Sequence, residues 1–288
     1  MTRILSLVGF ILLGTWCTGQ VSGDFSENSL PLKETISFRS TAVLPTENSL
    51  KLGTTIYSSK MQGIAEHYLS SSYLMGKSKT QTIGLQIYLK DRGNLISETS
   101  AKFAFRQAIK LNQNQKISLA TNVGMYQILL NSTATTQGGS DQAFDIDWST
   151  SYENKTAVLS AYLGNTNQPK LTLLSEAIFY HRYYGAYAEK TFSLTKMYES
   201  SAQFNMYWQT SELHWRASFE QEVYQNVLLA VSGNDDSIGF SGAVTNWEVS
   251  RKLYAHLYIG YAFPISDEVL NNFTPLQIQI GVSGKRPE

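Results

Sequence analysis

The chain has 288 residues, with 23 basic and 23 acidic side chains that cancel, only 16% charged residues, and a single cysteine. That balance carries no electrostatic footprint for nucleic acid, and one cysteine excludes an internal disulfide framework or a cysteine-built metal site. Charge is sparse against the roughly 25% of ordinary soluble domains, while 17 Tyr, 13 Phe and 5 Trp make the chain rich in aromatics, a combination suited to an outer face that meets lipid.

Met1, Thr2 and Arg3 precede an apolar run from Ile4 to Trp16, followed by small and polar residues. This is the pattern of a secretory signal peptide, here residues 1–19 with cleavage between Gly19 and Gln20. The run is too short for a membrane-spanning helix. Cys17 lies inside it, and the bulky Trp16 before it argues against lipid attachment. Residues 20–45 are polar and weakly patterned; they read as an N-terminal arm, a plug or a first strand.

From residue 46 to 288 apolar and polar residues alternate with a period of two, the period of a strand. Ile83, Leu85, Ile87 and Leu89 alternate with Gly84, Gln86 and Tyr88; Phe103 and Phe105 with Lys102, Ala104 and Arg106; Phe144, Ile146 and Trp148 with Asp145, Asp147 and Ser149. The pattern returns at Phe204, Met206 and Trp208, at Leu213, Trp215, Ala217 and Phe219, at Leu257, Ile259 and Tyr261, and at Leu276, Ile278, Ile280 and Val282. A soluble sandwich also alternates, but its polar face is normally dominated by charge. Here Ser, Thr, Asn, Gln, Gly and Tyr dominate, as in a hydrated lumen. The segments match the 9–11 residues of a tilted membrane strand, and closure removes edges that lipid could not satisfy. The predicted fold is all-β: an antiparallel transmembrane β-barrel of about 12–14 strands in a bacterial outer membrane. Turns are read at Lys90–Asn94, Leu111–Gln115, Gly164–Lys170 and Gly233–Asp236, with longer loops at Asn131–Asp141 and Pro264–Pro275. Their uneven lengths assign neither rim to a side of the membrane.

Candidate chemistry is thin. Asp141, Asp145 and Asp147 share a strand face and read as a lumen cluster paired with Lys or Arg on nearby strands rather than a calcium site. Glu212, His214, Arg216 and His256 are further lumen candidates. Asp235 and Asp236 form an acidic turn, with loop calcium left open. The run from Phe179 to Tyr187, containing Tyr180, Arg182, Tyr183 and Tyr184, reads either as a partner-binding rim or as an interfacial aromatic girdle. The four His have no metal-ligand spacing, and no Ser sits in a nucleophile elbow. Neither an enzyme nor a cofactor is expected.

Phe144-Asp145-Ile146-Asp147 with Ser151-Tyr152, the segment His181–Ala188, and Leu257-Tyr258-Ile259-Gly260-Tyr261-Ala262-Phe263 resemble strands of the PorP/SprF family of Bacteroidota outer-membrane proteins. The opening Asn-Pro-Ala segment of that family is missing. The resemblance implies a role in type IX secretion or gliding motility. The barrel would anchor or assist export of a surface protein through its C-terminal sorting domain, with a periplasmic peptidoglycan-binding lipoprotein as a further partner. A porin or diffusion channel is the alternative, and it calls for an in-folded constriction loop, for which Asn131–Asp141 is short.

Overall fold

The computed structural model describes residues 36, 39–44, 48–58, 64–76, 80–92, 96–131, 138–173, 176–195, 198–210, 212–223, 226–234, 237–250, 253–265 and 274–284. The predicted signal peptide and the Asp235-Asp236 turn lie outside them.

The first seven strands are β1 (Ser49–Ser58), β2 (Ile64–Met75), β3 (Gln81–Arg92), β4 (Ile96–Lys110), β5 (Lys116–Leu130), β6 (Gly139–Glu153) and β7 (Ala157–Gly164). A short hairpin follows, β8 (Lys170–Leu173) and β9 (Glu176–Phe179). The chain then continues as β10 (Tyr183–Thr195), β11 (Tyr198–Gln209), β12 (Glu212–Val223), β13 (Val227–Gly233), β14 (Ser237–Ser250), β15 (Leu253–Pro264) and β16 (Thr274–Gly284). The wall strands pair antiparallel in chain order, with β7 pairing directly with β10 and β8–β9 forming a separate hairpin, and β1 meets β16 from Ser49↔Ser283 to Ser58↔Thr274, closing a barrel of 14 strands. The upper end of the expected strand range is therefore the observed number.

The alternation read in the sequence is the inside–outside alternation of this wall. On β4, Glu98, Ser100, Lys102, Ala104 and Arg106 are buried, whereas Phe103 and Ile109 are 52% and 50% exposed. Exposed Leu, Phe, Ile and Trp recur around the whole outer face. Such a surface is stable only against lipid, so the chain is an outer-membrane barrel.

Topology sorts the connections between two rims, and their lengths orient the barrel. The start of β1 and the end of β16 share one rim with the short connections 76–80, 111–115, 154–156, 196–197, 224–226 and 251–252. The other rim carries four short connections, 59–63, 93–95, 210–211 and 234–236, together with all the longer ones, 131–138, 165–182 and 265–273. Short turns mark the periplasmic side. Aromatic girdles fit this orientation. Tyr184 stacks on Trp208 at 5.7 Å near the outer rim, and Phe263 packs edge-on against Phe240 and Tyr261 there. Tyr73 and Trp247, 58% and 71% exposed, stand near the periplasmic rim.

The described part of the N-terminal segment, residues 36 and 39–44, lies inside the barrel and includes a 3-10 turn at Thr41–Val43. It bonds to inward-facing side chains of the wall. Ser40 Oγ meets Ser160 Oγ at 2.6 Å, Ala42 N donates to Ser149 Oγ at 2.9 Å, and Ser151 Oγ donates to Ala42 O at 2.9 Å. Arg106 Nη1 donates to Leu44 O at 2.7 Å. Leu44 stands near the periplasmic end, and Ile36 reaches the cluster of Tyr162, Tyr183, Tyr187 and Tyr207 higher in the lumen.

Candidate functional site

The chemistry of this chain is in its lumen, which two inserts enter from opposite ends. The periplasmic insert comprises residues 36 and 39–44. The outer one is the connection between β7 and β10, residues 165–182, which folds inward and carries β8 and β9.

The outer insert is seated on β6. That strand runs from Gly139, but its pairing with β7 begins only at Trp148↔Leu163. Above that point the edge of β6 has no strand beside it, and the insert takes over the missing partners, since buried backbone groups must be paired. Thr166 N donates to Ile146 O at 2.9 Å. Asn167 acts as a substitute peptide group: its Oδ1 accepts from Ile146 N at 3.1 Å and its Nδ2 donates to Phe144 O at 2.6 Å. Asp141, which sequence grouped with Asp145 and Asp147, accepts from Thr172 N at 2.5 Å. Tyr126, Ile128, Leu130, Leu171 and Tyr180 form the apolar side of the seat, with Tyr126 and Tyr180 stacked at 4.9 Å.

Beneath the insert lies the strongest charge cluster. Lys102 Nζ bridges Asp145 Oδ2 at 2.5 Å and Asp147 Oδ2 at 2.6 Å, with all three side chains buried. The same ammonium sits 4.8 Å over the Tyr126 ring. Asp147 Oδ1 accepts from Asn165 N at 2.9 Å, while Asn165 Oδ1 accepts from Tyr126 OH at 3.3 Å and its Nδ2 donates to His181 O at 3.0 Å. Asn165 has φ of 50°, a left-handed conformation that Asn tolerates better than most residues. The charge cluster and the insert are thus one network.

Gly124 lets this network form. It lies between Lys102 and Asp145 in the register, and a Cβ there would come within 2.1 Å of Ala101 O and 2.8 Å of Lys102 Cγ. Gly124→Ala is expected to cost about 1–3 kcal/mol through overpacking, read as a lower urea midpoint of the barrel in lipid vesicles. An unchanged midpoint would mean that the wall yields at this position.

Elsewhere lumen charges are also paired. Lys90 is 3.0 Å from Glu66, Lys116 is 2.7 Å from Glu153, and Arg106 pairs with the same Glu153. Polar side chains join the remaining wall: Tyr162 OH donates to Asn205 Oδ1 at 2.7 Å, and Gln203 Nε2 donates to Glu220 Oε1 at 2.5 Å.

The structure separates the predicted lumen residues. Asp145 and Asp147 on β6 join Lys102, but Glu212, His214 and Arg216 lie on β12, four strands away in the wall, or about 19 Å at about 4.8 Å per strand. His214 stacks on Tyr207 at 4.8 Å, Arg216 is buried in the lumen, Glu212 is at the rim 3.8 Å from His214, and His256 on β15 contacts Ser283 Oγ at 2.8 Å. The predicted rim residues divide likewise. Tyr180 and Tyr183 are buried in the lumen, Arg182 is exposed and its Nε donates to Thr166 O at 2.7 Å, and Tyr184 faces lipid. Lys102, Gly124, Tyr126, Asn165 and Asn167 were not singled out by sequence; Gly124, set within an inward-facing polar series, was the available signal. Among the described residues no group of three or more His, Cys, Asp or Glu is placed to hold a metal ion.

No protein-family model and no curated protein sequence matches the chain. Solved structures do match its fold. A FadL homologue of Pseudomonas aeruginosa aligns with a TM-score of 0.50 at 7% identity, covering 93% of this chain and 98% of its own. A mutant of the TodX monoaromatic hydrocarbon channel aligns with a TM-score of 0.52 at 9% identity, covering 90% and 95%. At such identities the likeness is one of fold alone.

These matches correct the PorP/SprF resemblance and the type IX secretion and gliding roles drawn from it. The shared wording was strand wording. In Leu257–Phe263, Leu257, Ile259 and Phe263 face lipid and Tyr258, Gly260 and Ala262 face the lumen. Phe144–Asp147 alternates in the same way. Any membrane barrel requires that alternation, so it identifies no family. The exported-protein and lipoprotein partners rested on that resemblance alone.

Proposed function

We propose that the chain is a non-enzymatic outer-membrane channel for small polar solutes, obstructed in the described state by its two lumen inserts. The observation that carries this reading is the in-folded connection 165–182, anchored to the wall by Asn165 and Asn167, which is the constriction element a diffusion channel requires. The lumen lining supports the solute class. Its amide, hydroxyl and tyrosine groups offer hydrogen bonds, and its cations Lys90, Lys102, Arg106 and Lys116 are each beside a carboxylate. Such a passage favours neutral polar molecules and discriminates weakly between ions.

The test is conductance of the purified barrel in planar bilayers, beside an Asn165→Ala/Asn167→Ala variant. The parent is expected to open rarely, with weak ion selectivity, and the variant to stay open longer. Silence from both proteins, with the barrel shown folded by heat-modifiable mobility on SDS gels, would refute the channel reading.

A further inference from the structure

The outer wall holds two apolar hollows, of 410 and 570 Å³, that adjoin at Thr150 and Ala161. They arise from side-chain size. Around the barrel the lipid face is mostly Leu, Ile, Phe and Trp, but β7 and β10 carry Ala161, Ala186 and Ala188 there, and the larger Trp148 and Phe204 stand on either side. A depression in a lipid-facing wall fills with hydrocarbon, because no other occupant of that layer avoids a desolvation cost.

One end of the depression is charged. Lys190 follows Ala188 on the same face of β10 and lies opposite Ala157, directly below Leu159 in the register. Its Nζ donates to Thr156 Oγ1 at 2.8 Å. Lys155 precedes Thr156 in the β6–β7 turn at the same rim, and both lysines are exposed. Among the described residues neither pairs with a carboxylate. This end is at the periplasmic rim, where lipid headgroups of the inner-facing leaflet lie.

We infer that this surface is a binding site for an anionic glycerophospholipid of the periplasmic leaflet, with acyl chain in the hollows and phosphate between Lys155 and Lys190. Apolar volume and two exposed cations at the same rim are the two halves of an amphiphile site, and lysine ammoniums are suited to phosphate. The site is on the opposite side of the wall from the lumen, so its existence is independent of the channel reading.

Native mass spectrometry of the detergent-purified barrel tests it, with phosphatidylglycerol and phosphatidylcholine of identical acyl chains added in turn. Phosphatidylglycerol is expected to be retained about tenfold more strongly, a ratio equivalent to about 1.4 kcal/mol. Lys155→Gln/Lys190→Gln should erase the preference but leave acyl-driven binding. Ala161→Phe, which fills the junction of both hollows, should remove retention of either lipid; Ala188→Leu supplies a milder filling variant if the first lowers folding yield. Equal retention of the two lipids by the parent protein, retention undiminished in both filled variants, or displacement of phosphatidylglycerol by lipopolysaccharide would overturn the assignment.

Discussion

Lys102→Met is expected to destabilise the folded barrel by about 3–5 kcal/mol, the usual cost of removing one partner from a buried ion pair. Lys102 is the only cation within bonding distance of Asp145 and Asp147 among the described residues, and both carboxylates are buried with it. Asp145 Oδ1 already has no hydrogen-bond partner among those residues, so the cluster has no spare donor to replace the ammonium. The measurement is the urea midpoint in lipid vesicles, followed by tryptophan fluorescence. Methionine keeps most of the aliphatic stem, so packing loss contributes little and the charge is what is tested. The triple variant Lys102→Met/Asp145→Asn/Asp147→Asn should recover most of the stability. No buried charge is then unpaired, and the amide oxygen at position 147 still accepts from Asn165 N. A single variant as stable as the parent would show that water reaches the cluster and that its burial is not effective.

The same cluster shows how far sequence could lead. Alternation made the strands legible because lipid outside and a polar lumen inside impose opposite requirements on neighbouring residues. Asp145 and Asp147 lie on the inward face that this alternation assigns them. Their lysine lies 43 and 45 residues earlier in the chain, and only the register through Gly124 brings it there. Periodicity gives the face of a residue but not its height in the wall. The aromatic run near residue 180 is divided by the structure for a related reason. It spans the end of the insert and the start of β10, so its period changes within it: Tyr180 and Tyr183 turn inward while Tyr184 turns out. Reading it as one segment concealed the insert. The connection 165–182 also contains two short strands of its own, and these look like wall strands until the register shows that, among the described residues, they pair as strands only with each other.

Deleting residues 36–44 is expected to open the lumen without unfolding the barrel. None of the hydrogen bonds named for this segment belongs to the strand ladder. Ser149, Ser151 and Ser160 contact it through their hydroxyls, and Arg106 through its guanidinium. Arg106 would keep Ser118, at 2.8 Å, and Glu153 as partners, so its charge is not isolated by the deletion. The lost bonds are worth about 1 kcal/mol each, and water entering the vacated space would satisfy the exposed hydroxyls. Tyr162, Tyr183, Tyr187 and Tyr207 would lose Ile36 as an apolar neighbour, and Tyr207 would lose Arg39, whose guanidinium lies 3.8 Å over its ring. These rings would then line a wetter passage. Planar-bilayer recordings should show long openings that the parent lacks, and liposomes carrying the variant should swell in isosmotic solutions of small neutral sugars. Combining the deletion with Asn165→Ala/Asn167→Ala should enlarge the conductance beyond either change alone, because the two inserts obstruct the lumen from different ends. If the combined variant folds and conducts no better than the deletion alone, the outer insert is not part of the barrier.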